Sequence, residues 1–435
     1  MINPLNIFKT IKIKNNFSEF GWIIAGQILS IFLAFITTKL LTQMGTIEYG
    51  KYSLVLTVAS LASILIFGPA EQSFVRYYYD YLQKGVTHTY LKIFYRYICL
   101  IGIGTIITIF AASFLALNLK WEISILSIFA MGIYIFVNPC TNIFNSMLNV
   151  LRKRKQNTFL QIIEKIIIIF LLLFLILKFE INAENALLVI IIATSIVLVV
   201  KIKVLNRNVP NDKRKLSNSS LLNKKIYNVL LSFGIPFAIW GVFGWLQSTS
   251  ERWVIAYYLS TSEVGIYSLM VALANYMISL PSGILNQFLQ PIIYENISSN
   301  ETYNRGIKII NYLIILIAAL SVFMTFLTLI FGEKIIVLVS NSEFANYWFI
   351  LPLVCIGFGL FQIGQAMTIV GLINNTPEKY IIPKILSGII AVILNVIFII
   401  KFDLIGIPFA IITTNIIFVV LIRNQNLKIE KQIKA

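Results

Sequence analysis

Charge is scarce in this sequence. Asp, Glu, Lys and Arg together make up 12% of its residues, about half the share found in a soluble globular protein. That shortage excludes a water-facing surface over most of the chain. Histidine occurs once, at His88, and cysteine three times, at Cys99, Cys140 and Cys355. The cysteines lie far apart in apolar stretches, with no Cys-x-x-Cys, which argues against a zinc site or a disulfide framework. No metal or other cofactor is expected. The motifs of several enzyme classes are missing as well. There is no Gly-x-x-x-x-Gly-Lys-Ser/Thr run, no Gly-x-Ser-x-Gly and no His-Glu-x-x-His, so neither nucleotide hydrolysis nor those hydrolytic chemistries are expected.

What is plentiful is apolar sequence. Hydrophobic residues reach 58% and mean hydropathy is +0.85. Apolar runs of about 20 residues recur from end to end, and a helix of that length crosses a bilayer. The sequence reads as an all-α polytopic membrane protein. Its formal charge of +17 would suggest nucleic acid in a soluble protein. Here the bias of basic residues toward cytoplasmic loops explains it better, and no nucleic-acid partner is expected.

Twelve spans are read, at 19–43, 51–75, 90–117, 121–148, 158–178, 183–205, 229–258, 264–291, 306–331, 345–372, 380–400 and 404–422. With the N-terminus placed in the cytoplasm, 27 of the 35 Lys and Arg fall on the inside and six on the outside. The inside set includes Lys9, Lys12 and Lys14, the run at 152–155, eight residues of the 201–225 connection and four from the two later inside loops. This asymmetry predicts both termini in the cytoplasm. The first span is read as uncleaved, because it is too long for a signal-peptide core. The basic stretch at 206–225 reads as a linker, dividing the chain into bundles at 1–205 and 226–435.

The halves repeat. "TIEYGKYSL" at 46–54 matches "TSEVGIYSL" at 261–269 with Thr, Glu, Gly, Tyr, Ser and Leu in register. Six spans separate the copies, so they run in the same direction, as in transporters with parallel repeats about an axis along the membrane normal. The Glu-x-Gly-x-Tyr element is expected to form a turn, with Gly at the membrane face and Tyr at the interface. Gly and Pro inside spans, in "FGPAEQ", "VNPC", "FGIPF" and "SLPSG", are candidates for helix breaks beside a cavity.

The residues "KLLTQMGTIEYGKYSL" at 39–54, "GPAEQSFVRYY" at 68–78 and "SERWVIAYYLSTSEVGIYSL" at 250–269 resemble the bacterial polysaccharide (O-antigen type, Wzx-like) flippases of the MATE-like superfamily. The likeness in span layout covers nearly the whole chain. Lys39 and Arg76 stand where that family carries basic residues, and Glu251-Arg252 where its seventh helix carries Asp-Arg. The resemblance implies movement of an undecaprenyl-diphosphate-linked oligosaccharide to the outer leaflet of the bacterial inner membrane. It also implies a proton or sodium ion as a candidate coupling ion, and other polysaccharide-assembly membrane proteins as candidate partners.

Charges inside spans mark the candidate site, because each costs about 2.5–3.5 kcal/mol at a helix centre. Six residues are singled out for substrate: Lys39, Glu71, Arg76, Lys165, Glu251 and Arg252. Glu251 and Arg252 are adjacent and point about 100° apart on a helix, so they cannot fully satisfy each other. The pair is expected to face a cavity between the bundles, with Lys39 approaching it from the other half. A cation in both halves suits an anionic headgroup. The competing readings are a cation-coupled multidrug exporter of the same fold and, further off, a membrane polymerase or ligase of the same pathway.

Overall fold

The structure is a computed structural model that describes residues 17–118, 125–209, 220–295, 300–374 and 376–434. Lys9, Lys12, Lys14, most of the "NLKWE" separator and positions 210–219 of the basic connection lie outside the described residues. Among those described there is no strand. The helices are α1 (Phe17–Leu41), α2 (Gly45–Ala62), α3 (Gly68–Gln83), α4 (Thr87–Asn118), α5 (Ile125–Val150), α6 (Arg154–Lys178) and α7 (Ala183–Asn208). They continue as α8 (Ser220–Tyr258), α9 (Thr261–Ala274), α10 (Leu280–Glu295), α11 (Asn300–Val339), α12 (Ile350–Met367), the short α13 (Ile369–Ile373) and α14 (Ile381–Lys434).

Among the described residues, eight stretches are long and apolar enough to cross a bilayer. Two of these, 24–83 and 377–432, are 60 and 56 residues long, and each folds back on itself. The first does so through a short 3₁₀ turn at Thr42–Met44. The second does so at Asp403, whose φ of 51° interrupts α14. A positive φ is costly for most side chains, and Asp is among the few that tolerate it. Gly406 completes this turn, because a Cβ there would lie 2.2 Å from the carbonyl oxygen of Phe398. Helices α4 and α8, of 32 and 39 residues, bring the crossings to twelve. Helix α7 runs on to Asn208 and α8 begins at Ser220, so both ends of the expected 206–225 linker are helical.

The second crossing of each half is built from two helices joined by a π-helical turn. These turns are Ser63–Phe67, between α2 and α3, and Asn275–Ser279, between α9 and α10. A proline follows each turn, Pro69 and Pro281. Proline cannot donate to the preceding turn, and the widened geometry accommodates the loss. The other two expected breaks do not form: helices α5 and α8 run unbroken through Pro139 and Pro236.

The two copies of the repeat pack against each other. A Cβ on Gly50 would lie 2.0 Å from the carbonyl oxygen of Thr261, and a Cβ on Gly265 would lie 2.0 Å from that of Thr46. The contact is reciprocal, so a pseudo-twofold axis runs between α2 and α9. Ser53 and Ser268, equivalent positions of the repeat, hydrogen-bond across it at 2.6 Å. The expected turn is therefore wrong in kind. Both glycines lie inside helices, where their missing side chains let two backbones touch. Tyr52 and Tyr267 are buried, not interfacial.

Gly50→Ala should lower the thermal stability of the purified protein, by about 1–3 kcal/mol as for an overpacked core. Gly104→Ala, where a Cβ meets nothing within 4 Å, should be neutral or stabilising, since alanine favours a helix over glycine. Thermal unfolding of both variants in one detergent measures the contrast.

Candidate functional site

A cavity of about 550 Å³ lies between the halves, beside the α2–α9 crossing. From the first half it takes Thr37, Thr38 and Leu41 of α1, and Tyr49, Tyr52, Ser53 and Leu56 of α2. From the second half it takes residues 247–249, 251 and 252 of α8, the start of the π turn after α9, and Phe361, Gln362 and Asn415. Its rim is tied by hydrogen bonds between halves. Thr38 pairs with Tyr276 at 3.0 Å, beside the Ser53–Ser268 bond. The indole of Trp245 donates to the Thr57 carbonyl at 2.9 Å, and that of Trp253 to the Thr57 hydroxyl at 2.9 Å. At the end away from the start of α1, Thr46 donates to Glu343 at 2.7 Å and accepts from Ser262 at 2.8 Å.

Among the described residues, Glu251 and Arg252 are the two charged residues in the lining. Glu251 is buried, and its Oε2 has no partner among the described residues; Arg252 is half-buried, and its Nε likewise has none. They form no ion pair with each other, as their 100° separation on the helix requires. A buried acceptor left unsatisfied costs about 1–3 kcal/mol, and more when charged. The site therefore holds one acid and one cation that line a shared space, each with one buried polar atom left without a partner among the described residues. Behind Glu251, Asn395 donates to Ser250 at 3.2 Å and fixes this turn of α8 against α14.

The other four singled-out residues lie outside the cavity lining. Lys39 is exposed, although its neighbours Thr38 and Leu41 line the space. The two halves therefore do not present equivalent cations to one cavity. Glu71 accepts a hydrogen bond from Ser146, which ties α3 to α5. Arg76 is exposed, with its guanidinium 5.6 Å from the Tyr77 ring centre. Lys165 donates to the Ser30 carbonyl at 2.8 Å, which ties α6 to α1. Its neighbour Glu164 turns the other way and pairs with Lys201 of α7 at 3.0 Å. Lys201 is fully buried, so charge counting misplaces it by assigning it to the 201–225 connection.

The sequence reading also misses Lys384. Counted with the inside loops, it is in fact 2% exposed in the first turn of α14. It donates to Oε1 of Gln247 at 2.8 Å and lies 4.9–5.6 Å from the ring centres of Trp240, Phe361 and Phe418. Gln247 donates in turn to Asn415 at 3.0 Å, and Asn415 to the Gly357 carbonyl at 2.9 Å. Lys384 forms no ion pair among the described residues. A lysine near a helix end ordinarily snorkels to water. Here the last arm of α14 continues to Lys434, well past the expected 422, and Tyr380 hydrogen-bonds Asn426 on it. That extension covers the start of the preceding crossing. An isolated lysine after a proline, in "IIPKILSG", is the only trace of this in the sequence.

Among the described residues no group of His, Cys, Asp and Glu could hold a metal ion. No curated protein matches the chain at a significant level. Solved structures do match nearly end to end. A point mutant of the Vibrio cholerae MATE transporter VcmN aligns at 13% identity over 96% of this chain and 97% of that one, with a TM-score of 0.66. The lipid II flippase MurJ, in an inward closed conformation, aligns at 16% identity over 94% and 88%, with a TM-score of 0.65. A multidrug resistance MATE family transporter of the MOP superfamily, facing inward, aligns at 13% over 93% and 96%, with a TM-score of 0.66. At such identities the likeness establishes the fold: a MATE-like arrangement of twelve crossings in two six-helix bundles. The family model described as "Polysaccharide biosynthesis protein" matches residues 17–297. That is well over half of the chain, and the chain belongs to this family of membrane proteins.

Proposed function

We propose that the protein moves a lipid-linked oligosaccharide, carried on undecaprenyl diphosphate, from the cytoplasmic to the outer leaflet of a bacterial inner membrane. The observation that carries the reading is Arg252. It is a half-buried cation whose Nε has no partner among the described residues, and it lines a cavity shared by both halves of a chain whose family is tied to polysaccharide biosynthesis. A guanidinium matches a diphosphate through charge-assisted hydrogen bonds. The bundles at 1–205 and 226–435 alternate access by rocking against each other around the cavity between them. Glu251 keeps the empty site neutral and exchanges a proton or sodium ion during the cycle. Both termini and the 206–225 connection face the cytoplasm, as the charge asymmetry favours.

A second reading, cation-coupled export of drugs, draws on the same Glu251, whose unpartnered carboxylate oxygen suits a cation. The two readings part at Arg252, which a cationic cargo would not use.

Arg252→Ala should abolish delivery of lipid-linked oligosaccharide to the outer leaflet while the protein stays at normal abundance in the membrane. Arg252→Lys should retain part of it, because the charge remains and the fork is lost. Normal transport by Arg252→Ala would overturn the anion-binding reading. Lys201→Met should behave differently. It strands Glu164 in the first bundle, which costs about 3–5 kcal/mol for a broken buried pair, so abundance and thermal stability should fall while transport per folded molecule is kept.

Topology has its own test, in a background lacking the three native cysteines. Lys213→Cys should resist an impermeant thiol reagent applied to intact cells, and Ser342→Cys should label. The reverse pattern would invert the proposed orientation.

A further inference from the structure

A second cavity, of about 900 Å³, opens on the first bundle far from Arg252. It lies where α4 begins and α7 ends, at the end of the bundle where α1 also begins. Its wall is His88, Lys92 and Arg96, at i, i+4 and i+8 on one face of α4, then Cys99, Leu100 and Ile103 further along the helix. Asn206 and Val209, at the end of α7, form the opposite side. Tyr95 bridges the two helices by donating to Asn206 at 3.0 Å. Lys92 and Arg96 are exposed and form no ion pair among the described residues, and no acidic residue among those described lines the groove. Leu100 and Ile103 are 60% and 55% exposed, an apolar continuation toward the membrane interior.

We propose that this groove binds an anionic phospholipid of the leaflet at that end of the bundle. The phosphodiester rests on Lys92 and Arg96, with His88 at the rim, and one acyl chain follows Leu100 and Ile103. Orientation bias accounts for basic residues near a helix end. It does not account for Lys92 and Arg96 on one face, lining one groove, directly above an exposed apolar wall. Basic pockets between helices at the cytoplasmic side are the physical form of lipid headgroup sites. The site is independent of the transport reading, since none of its residues touches the cavity between the halves.

The probe is phosphatidylglycerol, compared with phosphatidylcholine of identical acyl chains, added to the full-length protein in detergent. Cys99 supplies a native reporter, because it lines the groove and is exposed while Cys140 and Cys355 are buried. Phosphatidylglycerol should slow maleimide reaction at Cys99 about fivefold or more relative to phosphatidylcholine. Native mass spectrometry should show phosphatidylglycerol retained roughly tenfold more tightly, and the Lys92→Gln/Arg96→Gln double variant should lose that preference. Equal protection by the two lipids, or full preference in the double variant, would overturn the proposal. Equal protection by inorganic phosphate at millimolar concentration would also overturn it, because the site would then read a free anion. The protection assay uses the unaltered chain, so it decides the matter even if the double variant fails to fold.

Discussion

Gly50 and Gly265 meet backbone to backbone, and the placement of everything else between the halves follows from that crossing. Each glycine presents its bare face to the carbonyl of the other copy, at a distance no side chain could share. The Ser53–Ser268 bond sits one turn along the same helices and closes one wall of the cavity. The far-end ties from Thr46 to Ser262 and Glu343 lie one turn the other way. The close approach therefore sets which faces of α2 and α9 look into the cavity. Small residues serve this purpose in membranes because helix association there depends on packing more than on hydrophobic burial.

On this symmetric frame the charges are distributed asymmetrically. The first bundle satisfies its buried charges internally: Glu164 with Lys201, Lys165 with a carbonyl, Glu71 with Ser146. Removing one partner of such a group strands the other, so these residues hold α1, α3, α5, α6 and α7 in register. The second bundle leaves capacity open. Glu251 and Arg252 face the cavity unpaired, and Lys384 waits behind Gln247 with an amide and three rings in place of a carboxylate. A charge that is stabilised incompletely is the kind that a moving ligand can engage and release.

The coarse architecture is legible in the sequence because its signals are large. Apolar runs, charge asymmetry and a repeat at nearly half the chain length lead to twelve crossings in two bundles. The place of Glu251-Arg252 in the cavity lining is legible, because two opposite charges interrupt an apolar span there. It is not legible at Lys39, because one residue's rotation about a helix separates the cavity face from the exposed one, and the repeat fixes only the level. Lys201 and Lys384 escape notice for a different reason. A basic residue near a span end reads as a snorkelling one unless the length of the neighbouring helix is known. The repeat motif itself is visible but ambiguous, since the same glycine serves a turn or a helix contact, and only the packing partner distinguishes them.

The proposed rocking of the bundles requires the halves to part at the α2–α9 crossing. Ser53→Cys with Ser268→Cys, in a background without the native cysteines, places a disulfide across the axis, where the two hydroxyls already lie 2.6 Å apart. Oxidised protein should lose delivery of lipid-linked oligosaccharide, and reduction should restore it. Full transport by completely cross-linked protein would contradict the account.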